Sequence, residues 1–560
     1  MIVRFEKREK ACGKYQQLIK TALFLLKLCV LPIALYLAWK SVQISYYPPM
    51  EQSWRVYEID LVRLPDSVWL HLLVFLGICA VAAGILKGLD FILGAPGSGS
   101  AGGRFFSGDR EKLCRCMLFL ACVWLALIGF SYIRNHPYYP IGDQLNTTAA
   151  AAYAREGIFE MFIKGGYIGM YRQQEGFVFL YEILFSLFGD FCYGVAARFH
   201  VVFLLITVAA GYSFLKIVAP LPLYRILYCL MMMFCIPYIL YLPYVYGDLP
   251  SVCFSMVLFW ALAAYGRDLR KRYLVAASVA AVLALLVRKN IWIVLIAVAI
   301  GMVLLALEKE KPYPVVAGLC VILAAGAAVG MVGKMYEYRS GFEDDGGIPS
   351  ILWLAMGLQE TDETPGVYNR YQQSVFEECG FEREPASQIG KEYIASRMEE
   401  FIENPAYAKY FFTKKVQIQW LEPLFGSLGE TAYNREREAP GWISELYYGK
   451  LHDVVWKCAN YYQNAIYFSI LAFVLLSLFL KKAAPLSSTA WIPMIAVVGG
   501  FLFSIAWENK CRYVLPYFMY LVLYAPLGVG KLAEVVSGLV GRYLGQSAKR
   551  AGKKSDDMAA

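Results

Sequence analysis

The chain has 560 residues, of which 59% are hydrophobic and 17% are charged, with a formal net charge of +9. Soluble domains are typically ~45–50% apolar and ~25% charged, so this composition excludes a water-soluble globular protein, a disordered chain and a fibrous protein. Long uncharged stretches such as residues 274–287 and 291–307 instead predict a polytopic membrane protein.

Apolar stretches suited to membrane-spanning helices recur along the whole chain. The first follows a basic N-terminal segment that lacks a small-residue cleavage site, which predicts an uncleaved anchor and no secretory signal peptide. Because one span takes ~20 apolar residues, the pattern predicts an all-α protein with about twelve spans. They are expected near residues 21–38, 67–86, 113–131, 197–215, 225–245, 250–266, 273–287, 290–307, 313–333, 464–480, 489–507 and 513–530.

Lysine and arginine gather in alternate turns between these spans. Cytoplasmic loops of membrane proteins carry an excess of these residues, so the clusters indicate which turns face inward. The pattern predicts that both termini are cytoplasmic and that the turns between the clusters lie outside. The clusters occupy residues 4–14, 104–112, 216–225, 267–272, 481–482 and 549–554.

Residues 177–189 test this topology. They are apolar but too short to span comfortably, and they contain Glu182. Treating them as a span would reverse the predicted orientation of every later span and place the 267–272 cluster outside. We therefore expect an interfacial helix on the outer membrane face.

The residues outside the predicted spans are divided unequally between the cytoplasmic and the outer side of the membrane. The Gly/Ser-rich linker before residue 112 lacks the Gly-Lys-Ser/Thr ending of a phosphate loop, so nucleotide binding there is not expected. The predicted parts are an N-terminal extra pair of spans with the linker (1–112), a transmembrane core (113–333) whose first outer loop is 132–196, an extracytoplasmic soluble region of mixed structure (334–463), C-terminal spans (464–530) and a basic cytoplasmic tail (531–560).

Cysteine and histidine give little sign of a metal site. Most of the 14 cysteines lie in apolar stretches, where a thiol packs as a small hydrophobe, and no CxxC pair occurs. The four histidines are scattered, so a histidine-built metal centre is not expected. A divalent metal bound by acidic residues is left open, and no other cofactor is predicted.

Five charged residues stand out because neither hydropathy nor the inward bias of basic residues explains them. Asp143, Asp248, Glu508 and the pair Arg288–Lys289 all fall in turns predicted to lie outside. Each one could merely cap a helix or snorkel to the interface. Their convergence at one membrane surface favours a shared cavity, because a charge near the hydrocarbon costs ~2.5–3.5 kcal/mol and is usually retained for function.

Such a combination of charges suits transfer from an anionic lipid. A carboxylate can act as general base on an acceptor hydroxyl. Arginine and lysine can hold a leaving phosphate and neutralise the charge that develops on it. A cavity at the membrane surface would admit a lipid-linked donor from the bilayer and a polar acceptor from outside.

In layout, residues from about 113 to 530 resemble the GT-C superfamily of integral-membrane glycosyltransferases, in particular the family-39-like branch of protein O-mannosyltransferases and aminoarabinose transferases. Asp143 stands where that family has an acidic motif in the first outer loop, although Gln144 replaces a second acid. The other similar features are Leu187-Phe188-Gly189-Asp190 followed by Arg198, the second outer acid Asp248, and Trp507-Glu508 before Arg512-Tyr513-Val514-Leu515-Pro516.

This resemblance implies a sugar donor on a polyprenyl phosphate carrier, without a nucleotide, and inversion at the anomeric carbon. Because Gln144 replaces the second acid, it implies that Asp143 acts alone as general base. The implied substrate-binding residues are Asp248, Glu508 and Tyr246 for the acceptor, and Arg288, Lys289 and Arg512 for the lipid phosphate.

Three other functions remain open at this point. About twelve spans with both ends inside also fit a transporter or lipid flippase. A polysaccharide polymerase or ligase would use the same lipid-phosphate chemistry with a larger donor. A receptor or scaffold would use the 334–463 region to bind a partner. The acceptor could be a glycan, a lipid or a protein, and nothing indicates nucleic acid.

Overall fold

The computed structural model is almost entirely helical. Ten helices among the described residues are long and apolar enough to cross a membrane, and they identify a multi-pass membrane protein. Residues 94–106 of the predicted linker, the lysine pair at 481–482 and the side chains of the basic tail beyond residue 537 lie outside the described residues. The structure describes the backbone of residues 2–48, 61–93, 107–343, 345–433, 437–479 and 486–559, and the side chains of residues 15–48, 61–89, 110–343, 345–433, 437–479 and 486–537.

The helices are numbered in chain order. The first half contains α1 (Ile2–Ser41), α2 (Val68–Leu93), α3 (Ser107–Asn135), α4 (Asp143–Arg155), α5 (Tyr167–Met170), α6 (Glu175–Phe188), α7 (Tyr193–Val218), α8 (Pro222–Met233), α9 (Ile236–Leu240), α10 (Asp248–Asp268) and α11 (Lys271–Val287). The second half contains α12 (Ile291–Lys309), α13 (Tyr313–Ser340), α14 (Ser350–Gly357), α15 (Tyr371–Glu378), α16 (Arg383–Glu403), α17 (Pro405–Leu421), α18 (Ser427–Glu430), α19 (Gly441–Tyr448), α20 (Lys450–Phe479), α21 (Ile492–Ala506) and α22 (Leu515–Ala559).

Short elements connect these helices. Strands β1 (Ile44–Tyr47) and β2 (Val62–Pro65) pair antiparallel, as do the two-residue strands β3 (Glu360–Thr361) and β4 (Thr364–Pro365). Single 3-10 turns occupy Glu160–Phe162, Arg172–Gln174, Ser488–Trp491 and Cys511–Val514.

Two of the twelve predicted spans are not among these ten helices, because one stretch is interrupted and the other forms a shorter helix. The stretch 225–245 is broken between α8 and α9, where Pro237 lies in the first turn of α9 and has no backbone N–H for the helix ladder. Side chains satisfy carbonyls near the break, since Trp124 Nε1 donates to Met233 O at 3.1 Å and Tyr462 Oη donates to Met231 O at 3.0 Å. The stretch 273–287 forms α11, which has 17 residues.

The core of the bundle forms where α10 packs against α7 and α11. The buried face of α11 consists mainly of small residues at helical spacing, Ala277, Ala280, Ala281 and Ala284. Without a hydrophobic driving force inside the bilayer, close backbone approach through small side chains stabilises such helix pairs. This packing fixes the start of α10 beside the end of α11.

The N-terminal part is joined to the rest of the bundle through α20. Tyr47 Oη donates to Asp453 Oδ1 at 2.6 Å, and Trp456 Nε1 donates to Tyr46 O at 3.0 Å. His452 contacts the Pro48 carbonyl oxygen at 3.2 Å. The β1–β2 hairpin therefore lies against the first turns of α20.

Residues 177–189 do form a helix, α6, and its 14 residues place it below spanning length. One face of α6 is buried in the protein, whereas Leu187 and Phe188 are exposed. Glu182 is paired, since it accepts from Tyr336 Oη at 2.8 Å and lies 2.7 Å from Arg339 Nη2. The acid in this apolar segment is therefore neutralised by the end of α13.

The region after α13 is helical, with β3–β4 as its one described hairpin. The strand content expected for a region of mixed structure is thus limited, among the described residues, to the two paired residues of each strand. The flanking membrane helices extend into the region predicted at 334–463, because α13 ends at Ser340 and α20 begins at Lys450. Helices α14, α15 and α16 share a small core of their own that includes Leu352, Phe376 and Ala386.

Candidate functional site

A cavity of about 890 Å³ lies where the ends of α11, α12, α20 and α21 meet α4, α14 and α18. The basic side chains in its lining outnumber the acidic ones. Of the residues selected from the sequence, Asp248 is the exception that does not line the cavity. Those that do are Asp143, Tyr246, Arg288, Lys289, Glu508 and Arg512.

Asp143 is exposed to this cavity at the first residue of α4. The preceding Gly142 has a φ of 56°, a backbone conformation that favours glycine and turns the chain into the helix. Tyr167 Oη donates a hydrogen bond to Asp143 Oδ1 at 2.9 Å. Burial, and then the negative charge of Asp143, raise the pKa of Tyr167 well above its usual value, so this phenol remains a donor.

Asp248 lies behind the cavity lining and is fully buried. A Cβ on the preceding Gly247 would lie 2.1 Å from the Val287 carbonyl oxygen, so only glycine allows this approach of α10 to the end of α11. The approach places Asp248 beside Arg288, whose Nη1 donates to Asp248 Oδ1. Asp248 is thus an ion-pair partner of Arg288, and the predicted role in direct acceptor binding does not match this position.

Arg512 lies beside the Asp248–Arg288 ion pair, and 3% of its side chain is exposed. Its Nε lies 4.0 Å from Asp248 Oδ1 and 3.6 Å from Glu430 Oε1. The guanidinium also lies over the rings of Tyr244, at 5.0 Å, and Tyr246, at 5.2 Å. Arg512 Nη1 is a buried donor that makes no hydrogen bond within the described part of the chain, and Arg512 belongs to the cavity lining. An anion that entered beside it would supply the missing acceptor.

The other cations lie near an apolar part of the lining. Lys289 is exposed, and no ion pair involves it among the described side chains. It directly precedes α12, whose first residues contribute Trp292 and Ile293 to the lining, and Phe503 from the end of α21 lies in the same lining. A Cβ on Gly499 would lie 2.8 Å from Ile293 Cγ2, so α12 and α21 are in contact here. Cationic and apolar surfaces therefore adjoin at the ends of two membrane helices.

Glu508 is held in a turn that contacts the β3–β4 hairpin. Glu508 is 3% exposed and accepts from Tyr513 Oη at 3.0 Å. The next residue, Asn509, donates through its backbone N–H to Gly366 O at 2.7 Å and through Nδ2 to Pro365 O at 2.7 Å. The β3–β4 hairpin thereby sets the position of Glu508 and, further along the turn, of Arg512.

Tyr246 is the remaining predicted residue in the lining. Gln174 Nε2 donates to its hydroxyl oxygen. Burial raises the pKa of Tyr246 well above its usual value, and Asp143 raises it further, whereas Arg288 lowers it. Tyr246 therefore lies within electrostatic range of both the acid and the basic group.

Several functional candidates escaped the sequence reasoning. Tyr167, which binds Asp143, and Glu430, which pairs with Lys510 at 3.1 Å, carry no local motif. Lys510 lies in the same turn as Glu508 and Arg512, so its proximity to them was a usable signal. Trp507 is part of the family-like turn before Arg512, but its contact with the distant Trp353 in the cavity lining depends on the fold.

No group of three or more His, Cys, Asp or Glu among the described side chains could hold a metal ion. The acids near the cavity are instead paired with cations or with tyrosines, as the contacts of Asp248, Glu430 and Asp143 show.

Compared with known proteins, the sequence matches no family model and no curated protein. What the cavity can do chemically follows from its own side chains: it can deprotonate a hydroxyl and hold a phosphate.

Proposed function

We propose that the protein is a membrane glycosyltransferase of the GT-C type, which moves a sugar from a polyprenyl phosphate carrier to an acceptor hydroxyl on the extracytoplasmic side. The observation that supports this proposal is one cavity shared by a tyrosine-bonded carboxylate, Asp143, and a group of cations beside an apolar surface. Binding of a lipid-linked phosphate needs both the cations and the apolar surface, since its headgroup is anionic and its chain is apolar.

In the proposed reaction Asp143 takes the proton of the acceptor hydroxyl, and the oxygen attacks the anomeric carbon of the donor sugar. The bond from that carbon to the phosphate oxygen breaks, and the electron pair leaves with the lipid phosphate. Arg512, Lys289 and Arg288 stabilise the phosphate charge as it develops. Attack from the side opposite the phosphate inverts the configuration. Glu508 and Tyr246 bind the acceptor, and Asp248 orients Arg288.

The test uses the full-length protein in lipid nanodiscs with radiolabelled polyprenyl-phosphate sugars and acceptor membranes. Sugar-dependent release of the lipid phosphate is expected from the wild type. Asp143→Asn should reduce transfer about 10²–10⁴-fold, since general base catalysis contributes about that much. Tyr167→Phe should give a smaller loss, because the carboxylate stays but loses the hydroxyl that positions it.

Asp362→Asn is the matched control, because Asp362 is an exposed acid in the β3–β4 turn and does not line the cavity. It should retain the wild-type rate. A folded Asp143→Asn protein with full transfer would refute the proposed base. Movement of the labelled lipid across the membrane without release of lipid phosphate would identify a flippase instead, and activity limited to oligosaccharide donors would identify a polymerase or ligase.

A further inference from the structure

An aromatic wall lines one side of the cavity, and the transfer chemistry above uses only Phe503 of it, at the end nearest the apolar surface. The wall consists of Tyr171, Trp353, Trp507 and Phe503, all of which line the cavity. The Trp353 and Trp507 ring centroids lie 6.2 Å apart with their planes 11° from parallel, and Trp507 stacks on Phe503 at 4.9 Å. Tyr171 continues the wall at 6.0 Å from Trp353.

Backbone contacts hold this wall in place. A Cβ on Gly357, the last residue of α14, would lie 2.5 Å from the Ala506 carbonyl oxygen and 2.8 Å from the Trp507 carbonyl carbon. Only glycine therefore lets α14 approach α21 closely enough for the two indoles to stack. The buried Lys415 Nζ donates to the Gly357 carbonyl oxygen and fixes the end of α14 from the other side.

Polar groups accompany the rings along this part of the cavity. Gln173, Ser350 and Tyr368 line it too, and Tyr368 hydrogen-bonds Tyr171. The Gln173 amide and the Ser350 hydroxyl make no hydrogen bond to another described residue, so both can bind a ligand. Flat aromatic surface with a few amide and hydroxyl groups suits a pyranose, which has apolar C–H faces and hydroxyl groups around its edge.

We propose that the aromatic wall is a saccharide-binding subsite, and that the acceptor is accordingly a glycan; its assignment to the acceptor rests on the proposed glycosyl transfer. The wall leads to the base, because Tyr171 lies 4.9 Å from the ring of Tyr167, which binds Asp143. The donor phosphate has its own cations near Trp292, at the membrane-helix ends.

A peptide acceptor fits this lining less well. One common way to recognise an extended peptide is pairing with the edge of a strand. No residue of β1, β2, β3 or β4 belongs to the described cavity lining. The side chains on offer suit ring stacking and hydroxyl recognition instead.

The subsite can be tested without any transfer reaction. Maltoheptaose, cellopentaose and chitopentaose are added separately to the full-length protein in nanodiscs, and saturation-transfer NMR records which ligand protons contact the protein. Ring C–H protons of at least one oligosaccharide should saturate, and Trp353→Ala should weaken that binding about tenfold, with Trp353→Phe weakening it less. Trp69→Ala is the control, since Trp69 is 78% exposed and lies outside the cavity.

Saturation of none of the three oligosaccharides would overturn the proposal, and so would saturation that survives Trp353→Ala. Binding of a Ser/Thr-rich octapeptide without binding of any oligosaccharide would overturn it in favour of a protein acceptor. Because no lipid donor is present, oligosaccharide binding together with absent transfer would refute the proposed function alone.

A second measurement follows the labelled product. After transfer, the label should remain in a glycan fraction that resists protease and does not extract with lipid. Trp353→Ala should raise KM for that glycan about tenfold while leaving KM for the donor unchanged. Label in polypeptide or lipid, or an unchanged KM for the glycan, would contradict the subsite.

Discussion

Arg288 and Asp248 form a buried ion pair, with 11% and 1% of their side chains exposed. Removing the arginine leaves a carboxylate in the protein interior, and the nearest remaining cation among the described side chains is Arg512, whose Nε lies 4.0 Å away. We expect Arg288→Met to lower the free energy of unfolding by about 3–5 kcal/mol, because an uncompensated buried charge carries its full desolvation cost. Chemical unfolding of the protein in detergent measures this loss.

The double variant Arg288→Met with Asp248→Asn separates stability from transfer. Neutralising the orphaned acid should recover most of the stability, whereas transfer should stay low because a phosphate-binding cation is still missing. Arg267→Met breaks the exposed pair with Asp268 and should leave stability unchanged. A double variant no more stable than Arg288→Met would show that charge burial is not the cause.

At the residue level, the sequence pointed to charges that stand out against an apolar background. Arg288 is visible in this way, because it directly follows the uncharged stretch 274–287. Glu430 is not, since it lies in a segment already mixed in charge. Asp248 shows a different limit: its position in a turn was clear, but its burial behind Arg288 depends on the contact of Gly247 with Val287.

Among the helices outside the predicted spans, α17 carries a cation in an unusual setting. Lys415 is fully buried, and this burial lowers the pKa of its ammonium from 10.5 to about 7. Between these two values the folded chain holds the lysine neutral while the unfolded chain binds a proton. Stability should therefore rise with pH over this window, by up to about 1.4 kcal/mol per pH unit from this group.

Lys415→Met should abolish that contribution, because methionine does not titrate. Thermal unfolding in nanodiscs from pH 7 to pH 10 should show a steeper upward trend for the wild type than for the variant. Lys409→Met, which changes an exposed lysine on the same helix, should keep the wild-type trend. Parallel curves for the wild type and Lys415→Met would contradict a neutral buried lysine.

The helices themselves were predictable to differing degrees. Long apolar stretches such as those of α7 and α12 are found where hydropathy places them, because burial in a bilayer requires that composition. The break between α8 and α9 was missed because a hydropathy average is insensitive to one proline. Pro237 was its visible signal, but the side chains that satisfy the freed carbonyls, Trp124 and Tyr462, come from distant helices.

For the molecule as a whole, the structure separates two ends of the helix bundle. Asp248 begins α10 beside the cavity, and Asp268 ends this 21-residue helix, which corresponds to roughly 30 Å of helix. At a point away from the cavity, Glu111 pairs with Lys216 at 2.6 Å and with Arg225 at 2.7 Å, so two of the predicted inward basic turns meet. The 104–112 and 216–225 clusters therefore contact each other, as two turns on one side of the membrane can.

The sidedness can be tested with single cysteines in a background whose exposed cysteines, Cys29, Cys116, Cys320 and Cys458, together with Cys12, are replaced by serine. In intact cells a membrane-impermeant maleimide should label Glu363→Cys, in the β3–β4 turn that fixes the cavity. It should label Arg270→Cys only after lysis, because the 267–272 cluster is expected on the cytoplasmic side. The opposite pattern would place the cavity on the cytoplasmic side, where both the lipid donor and the acceptor would have to be. That result would overturn the proposed extracytoplasmic transfer, even if Asp143 proved to be the general base.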